Sequence, residues 1–225
     1  MSELFLVRHG QASFHSDNYD QLSPLGHQQA QWLGQYFKQR NLEFDTILMG
    51  DMVRHRETKE GICLGMGAPE LDAEVYPELN EFDFKRLTEA YLSTRPDERP
   101  AKDAAVPEFY RVLRKALHAW AADGHIEGAP ETWSNFEDRI DQMLTMIQDR
   151  PSKQKVLVVS SGGAISMALR QILQSPPQTM INLNLQTRNT GVSQCFFNSK
   201  GFNLNSFNHV PHLDHPERMD SITYS

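Results

Sequence analysis

Residues Lys155–Leu169 read KVLVVSSGGAISMAL. An apolar, β-branched run of strand length meets Ser160-Ser161-Gly162-Gly163, and Ile165, Leu169, Ile172 and Leu173 then recur at helical spacing. This is a buried strand feeding a helix through a glycine-rich turn. In an open parallel sheet such a turn lies at the carboxyl end of the strands, where ligands bind.

Two further junctions of this kind lie outward from it. Leu4–Val7 (LFLV) reads as a short buried strand that delivers Arg8-His9-Gly10. Asp45–Gly50 (DTILMG) reads as another, followed by Asp51, expected to cap a helix that carries Arg54 and Thr58 and ends near Gly65 and Gly67. Between them, Ser23-Pro24 supplies a helix cap and a proline at the first helical position, and Leu25, Ala30, Leu33 and Phe37 continue to about Arg40. Val106, Phe109, Leu113, Leu117 and Trp120 form one helical stripe; Trp133, Phe136, Ile140, Met143 or Leu144, and Ile147 form another. VSQCFF and FNLNSFN alternate as late strands joined by the turn NSKG.

Strands separated by helices predict an α/β fold: a three-layer sandwich with a mostly parallel central sheet, helices on both faces and a helical cap insertion. A single domain is expected over residues 1–225, with the insertion at about 85–130 following a proline- and charge-rich connection, STRPDERPAKDAAVP.

A formal net charge of −7 argues against non-specific binding to nucleic acid or an anionic membrane, so an anionic ligand needs a local arginine cluster. Two cysteines, Cys63 and Cys195, are too few for a disulfide framework or a zinc site and fit a reducing, cytoplasmic setting. MSELFLVRHG lacks the pattern of a signal peptide, and no apolar stretch approaches the ~20 residues that span a bilayer.

The three junctions bring Arg8, His9, Arg54 and the Ser161–Gly163 turn to one sheet edge. Arginine forks match phosphate oxygens, and N–H groups opening a helix bind anions. A phosphate pocket containing a histidine is the chemistry these residues share. Taken singly, each has an ordinary reading as a loop histidine, a solvated arginine or a turn glycine.

LFLVRHGQAS resembles the signature of the histidine phosphatase superfamily, which includes phosphoglycerate mutases and small phosphatases. SPLGHQQA, GDMVRHRET, ELNEFDF, ETWSNFEDRI and NTGVSQCFF resemble its other segments in order, so the resemblance covers nearly the whole chain. It implies that His9 is the nucleophile, forming a phosphohistidine that water cleaves. Arg8 and Arg54 would hold the phosphoryl oxygens, and Glu81 would protonate the leaving group. Ser13, Ser161 and Gly162 would complete the phosphate site. The implied activity is a metal-independent phosphatase without a cofactor, acting on a small phosphorylated substrate or a phosphoprotein. Exposed late strands would offer a homodimer surface.

The chain departs from the family pattern at Ser161, where the resemblance implies a second histidine before the glycines. A phospho-ligand-binding pseudoenzyme is therefore the alternative, and a mutase remains a further one. His15 stands where an asparagine is expected, and EFDFKRLTEAY lacks a glycine and a second acidic residue. A serine hydrolase elbow would need glycine at Val159. A metal site on His209, His212 and His215 would need a helix that Pro211 and Pro216 interrupt.

Overall fold

The computed structural model of the protein describes residues 1–13, 20–101 and 103–224, and for Val106 the backbone only. Six strands form one sheet in the order β3-β2-β4-β1-β5-β6. They are β1 (Ser2–Arg8), β2 (Thr46–Met49), β3 (Glu74–Val75), β4 (Lys155–Ser160), β5 (Val192–Asn198) and β6 (Gly201–His209). β1 and β2 flank β4 in parallel, β3 adds in parallel to β2, and β5 and β6 extend the other side antiparallel. The expected mostly parallel sheet is present, with three of its five strand pairings parallel and the two that join β5 and β6 antiparallel. The two-residue β3 carries no apolar run by which to foresee it.

Period-two alternation divides β1 and β4 between two cores. Phe5, Val7, Leu157 and Val159 face α1 (Pro24–Gln39) and α2 (Val53–Met66), packing with Leu33, Phe37 and Ile62. Leu4, Leu6, Val156 and Val158 face the opposite layer. That layer holds α4 (Val106–Asp123), α5 (Trp133–Gln148), α6 (Gly162–Ile172) and α7 (Pro177–Asn184), with Trp120, Phe136, Ile140 and Leu169 in its core. Both faces of β1 and β4 are thus buried, which is why their sequences are continuously apolar. The helix after β1 covers one face and the helix after β4 the other. The crevice between them opens at the carboxyl ends of these adjacent strands.

Local chemistry sets most boundaries as expected. Ser23 caps α1 by accepting the Gly26 N–H at 3.0 Å, and Gly67, at φ +78°, ends α2 in a conformation costly for other residues. Three expectations are corrected. Asp51 does not cap α2: Met52 occupies that position without a side-chain bond, and the Asp51 carboxylate instead accepts from the Asn80 amide. Phe109 is 46% exposed, since the first turns of α4 run past the core that buries Leu117 and Trp120. Leu173 is also exposed, standing at the end of α6 beyond the sheet. The remaining helix, α3 (Phe84–Ser93), is capped by Asp83, and its Tyr91 and Leu92 pack with Val112 and Ala116 of α4. Among the described residues, no helix is long and apolar enough to cross a membrane.

Candidate active site

His9 follows the last residue of β1 and is buried. Its backbone is held on both sides: its N–H donates to Ser160 O at 2.9 Å, and Asn189 Nδ2 donates to its carbonyl at 3.1 Å. The imidazole Nδ1 lies 2.8 Å from Gly10 O. A carbonyl only accepts, so Nδ1 carries the proton and Nε2 is the nitrogen with a free lone pair. Burial, then Arg54, Arg8 and His55, hold the His9 pKa well below the usual histidine value, so the ring is neutral at neutral pH.

α2 brings Arg54 to the same place. Its side chain is 5% exposed; Nη1 donates to Asp20 Oδ1 at 2.8 Å and Nη2 approaches Ser161 Oγ at 3.5 Å. Arg54 Nε is buried with no hydrogen-bond partner among the described residues. Arg54 is close enough to His9 for its charge to help lower the histidine's pKa. Thr58, one turn later, locks this helix to the first junction: it donates to Arg54 O at 2.6 Å and accepts the Gly10 N–H at 3.0 Å. Arg8, at the other side of the crevice, donates through Nη1 to Thr187 O at 2.5 Å and to Tyr224 O at 2.7 Å.

The two serines after β4 have separate tasks. Ser160 Oγ donates to Leu79 O at 2.5 Å and so ties down the loop that carries Glu81. Arg139 holds the same loop through Glu78 O at 2.6 Å and Asn80 O at 2.7 Å, with Glu131 bound to its other edge. Ser161 is fully buried, and its hydroxyl lies 2.7 Å from His55 Nε2. Gly162 and Gly163 open α6. A side chain at Gly162 would collide with Asn184 and Thr187, and one at Gly163 would meet Glu81 Oε1. The second glycine therefore permits the Gly163 N–H to donate to Glu81 Oε2 at 2.9 Å.

Glu81 is backed by Phe82, whose ring packs against Trp120 and Phe136 at 5.4 and 5.5 Å. Burial raises its pKa above the usual carboxylate range, against the lowering pull of the Gly163 N–H, Arg54, Arg8 and Arg139. A carboxyl pushed up and a histidine pushed down in one crevice is the pairing that acid–nucleophile chemistry requires.

The structure thus gathers Arg54, Ser161 and the α6 turn around His9, with Arg8 and Glu81 at its sides. Ser13 differs: its hydroxyl donates to Leu22 O at 3.1 Å, within its own loop. His15 lies outside the described residues. His212 is buried against Thr190 Oγ1 at 2.8 Å, and no cluster of metal-ligating side chains occurs among the described residues. Sequence reasoning passed over His55, although it adjoins Arg54. No local pattern signals it, because its contact with Ser161 joins residues 106 positions apart.

The family model of the histidine phosphatase superfamily (branch 1) matches residues 4–210. The "Probable phosphoglycerate mutase GpmB" of Salmonella choleraesuis (strain SC-B67) is 26% identical over 227 residues, covering 96% of this chain and 97% of that protein. Among solved structures, a phosphoserine phosphatase mutant from Entamoeba histolytica in complex with phosphoserine superposes with a TM-score of 0.68 at 21% identity, covering 95% of this chain and 100% of that one. Phosphoglycerate mutase from Bacillus anthracis str. Sterne gives 0.67 at 18% identity, with 94% of each chain covered. These two likenesses are of fold. The family match begins in β1, ahead of Arg8-His9-Gly10, and runs one residue past β6, so it takes in all of the sheet but the first two residues of β1, together with His9, Arg54, Glu81 and Ser161. The chain belongs to the histidine phosphatase superfamily.

Proposed function

We propose that the protein is a metal-independent phosphatase that hydrolyses a phosphomonoester, or a phosphohistidine, through a phosphohistidine formed on His9. The observation that carries this reading is the Nδ1–H to Gly10 O bond of a buried, neutral His9, which leaves Nε2 as the nucleophile within the electrostatic reach of Arg54 and Arg8. Nε2 attacks phosphorus as the ester P–O bond breaks. Arg8, Arg54, Ser161 and the Gly162 N–H offset the equatorial charge, and Glu81 delivers its proton to the departing oxygen. Glu81, now a carboxylate, takes a proton from water as that water attacks the phosphohistidine. The P–N bond breaks and inorganic phosphate is released. Asp20 accepts from Arg54 Nη1, so a phosphoryl group held by the same nitrogen must displace that contact or share it.

In the same reading residues 1–225 form one domain, and the helical stretch at about 85–130 is a cap whose Trp120 helps to desolvate Glu81. Ser161 takes the position of a second histidine, with loss of a charged donor. The likeness to the probable mutase favours a second reading, in which phosphohistidine returns its phosphoryl group to another hydroxyl instead of to water.

Turnover of a small aryl phosphate by metal-free protein, beside His9→Ala, tests the proposal. Activity present in the native protein and lost in the variant is the expected result. Equal activity in both would overturn it. Phosphate binding by a folded protein without turnover would make it a phospho-ligand-binding pseudoenzyme, and transfer to an added alcohol in place of phosphate release would favour the mutase.

A further inference from the structure

His55 has no role in the mechanism above, yet it is a fully buried imidazole at its centre. Its ring centroid lies 5.9 Å from that of His9, its Nε2 lies 2.7 Å from Ser161 Oγ, and its Nδ1 has no hydrogen-bond partner among the described residues. Space for it is provided for: a Cβ at Gly50 would come within 2.3 Å of Nδ1.

The hydrogen-bond inventory decides the direction of the Ser161 contact. A serine hydroxyl has one proton to donate and two acceptor positions. If Ser161 donated to Nε2, the proton of His55 would sit on Nδ1, an orphaned buried N–H, which is the rarer and costlier kind of unpaired group. If Nε2–H donates to Ser161, Nδ1 is merely an unused acceptor. Arg54 Nη2, at a long 3.5 Å, takes the second acceptor position. Both acceptor positions of Ser161 are then filled, and its one proton remains to be donated to a third group. Burial and the neighbouring Arg54 hold His55 neutral, so the ring keeps this single tautomer through the neutral range.

We propose that His55 is a positioning residue that, together with Arg54, fills the acceptor sites of Ser161 and aims the Ser161 hydroxyl proton at a phosphoryl oxygen bound beside His9. The inference rests on the phosphoryl-pocket reading given above. It gives a helix-borne imidazole a role at the turn where that reading lacks one: the ring acts through a serine instead of touching the phosphoryl group itself.

The test is a double-substitution cycle on orthovanadate affinity, read alongside kcat and KM for an aryl phosphate. His55→Phe keeps the ring volume and removes the donor; His55→Gln keeps an N–H that can reach Ser161. Losing one oriented hydrogen bond predicts that His55→Phe weakens orthovanadate binding by about tenfold and lowers kcat more than it raises KM. His55→Gln is expected to recover most of that loss. In a Ser161→Ala background, His55→Phe should change affinity by less than about twofold, because its effect passes through the hydroxyl. Equal losses in both backgrounds would mark His55 as packing and overturn the proposal, as would no loss in either. A second measurement needs no substitution at His55. Nitrogen-15 shifts of the histidines in the native protein, with His55 identified by its change in Ser161→Ala, should give the Nε2–H form; an Nδ1–H form overturns the proposal. Coupling without turnover would remove the phosphatase reading and leave the pair standing. Turnover with a flat cycle would do the reverse.

Discussion

At the scale of the residue, the crevice works by forcing two ionisable groups in opposite directions. His9 is kept neutral by burial and by Arg54, Arg8 and His55, so its own protonation does not limit activity near the usual histidine pKa. Glu81 is raised by burial and must be protonated to serve as acid. Its contribution is therefore present below its raised pKa and lost as pH climbs through it. Glu81→Gln is expected to lower kcat for an ester with a poor leaving group by about 10²–10⁴, and to remove that alkaline fall from the pH profile. In kcat/KM, which reports formation of the phosphohistidine, an aryl ester that departs without a proton should be affected far less. A variant that keeps the native pH profile would show that another group donates the proton.

At the scale of the element, the site depends on how β1 and α2 are joined. Thr58 is buried and bonds both ways, to the Arg54 carbonyl and from the Gly10 N–H. Thr58→Val keeps the shape and leaves the Gly10 N–H without its acceptor, a loss of about 1–3 kcal/mol. Because that N–H belongs to the turn that orients His9, kcat should fall as well. Urea unfolding followed beside steady-state kinetics checks both, and an unchanged midpoint would mean that the N–H had found another acceptor. On the opposite face, Ser160 and Arg139 fasten the loop of Glu81 to β4 and α5. Nucleophile and acid are thus carried on separate elements, each bonded to the strand or helix beside it.

At the scale of the whole molecule, buried neutral histidines make the fold sensitive to acid. His9 and His55 are held well below the usual value, and burial with Arg218 lowers His212 to about 3. Unfolding lets each take up a proton. Their contribution is complete above the unfolded value of about 6.5 and is lost as pH falls toward the folded values, by up to about 1.4 kcal/mol per pH unit for each histidine. The urea midpoint should fall between about pH 7.5 and 5, and more gently in His212→Gln, whose amide can still donate to Thr190 but cannot take up a proton. An equal slope in that variant would mean that other groups govern the acid response.

The sequence by itself determined the sheet, the cores and the edge at which chemistry gathers. Continuous apolar runs at Leu4–Val7 and Val156–Val159, separated by helical patterns, point to strands buried on both faces of an α/β sheet, and helix caps and glycines mark where each strand releases its chain. Arg8, His9, Arg54 and Ser161 were legible because each sits at or just beyond such a point. Phe109 and Leu173 were misread because a periodic stripe says which residues share a helix face, and not how far along the helix the core extends. Only the tertiary structure decided what touches what: that Ser160 holds the Glu81 loop, that Asp51 bonds Asn80 instead of capping α2, and that His55 meets Ser161. Those contacts join residues 29 to 106 positions apart. Local pattern carries the period of an element, whereas the meeting of two side chains depends on the packing of every element between them.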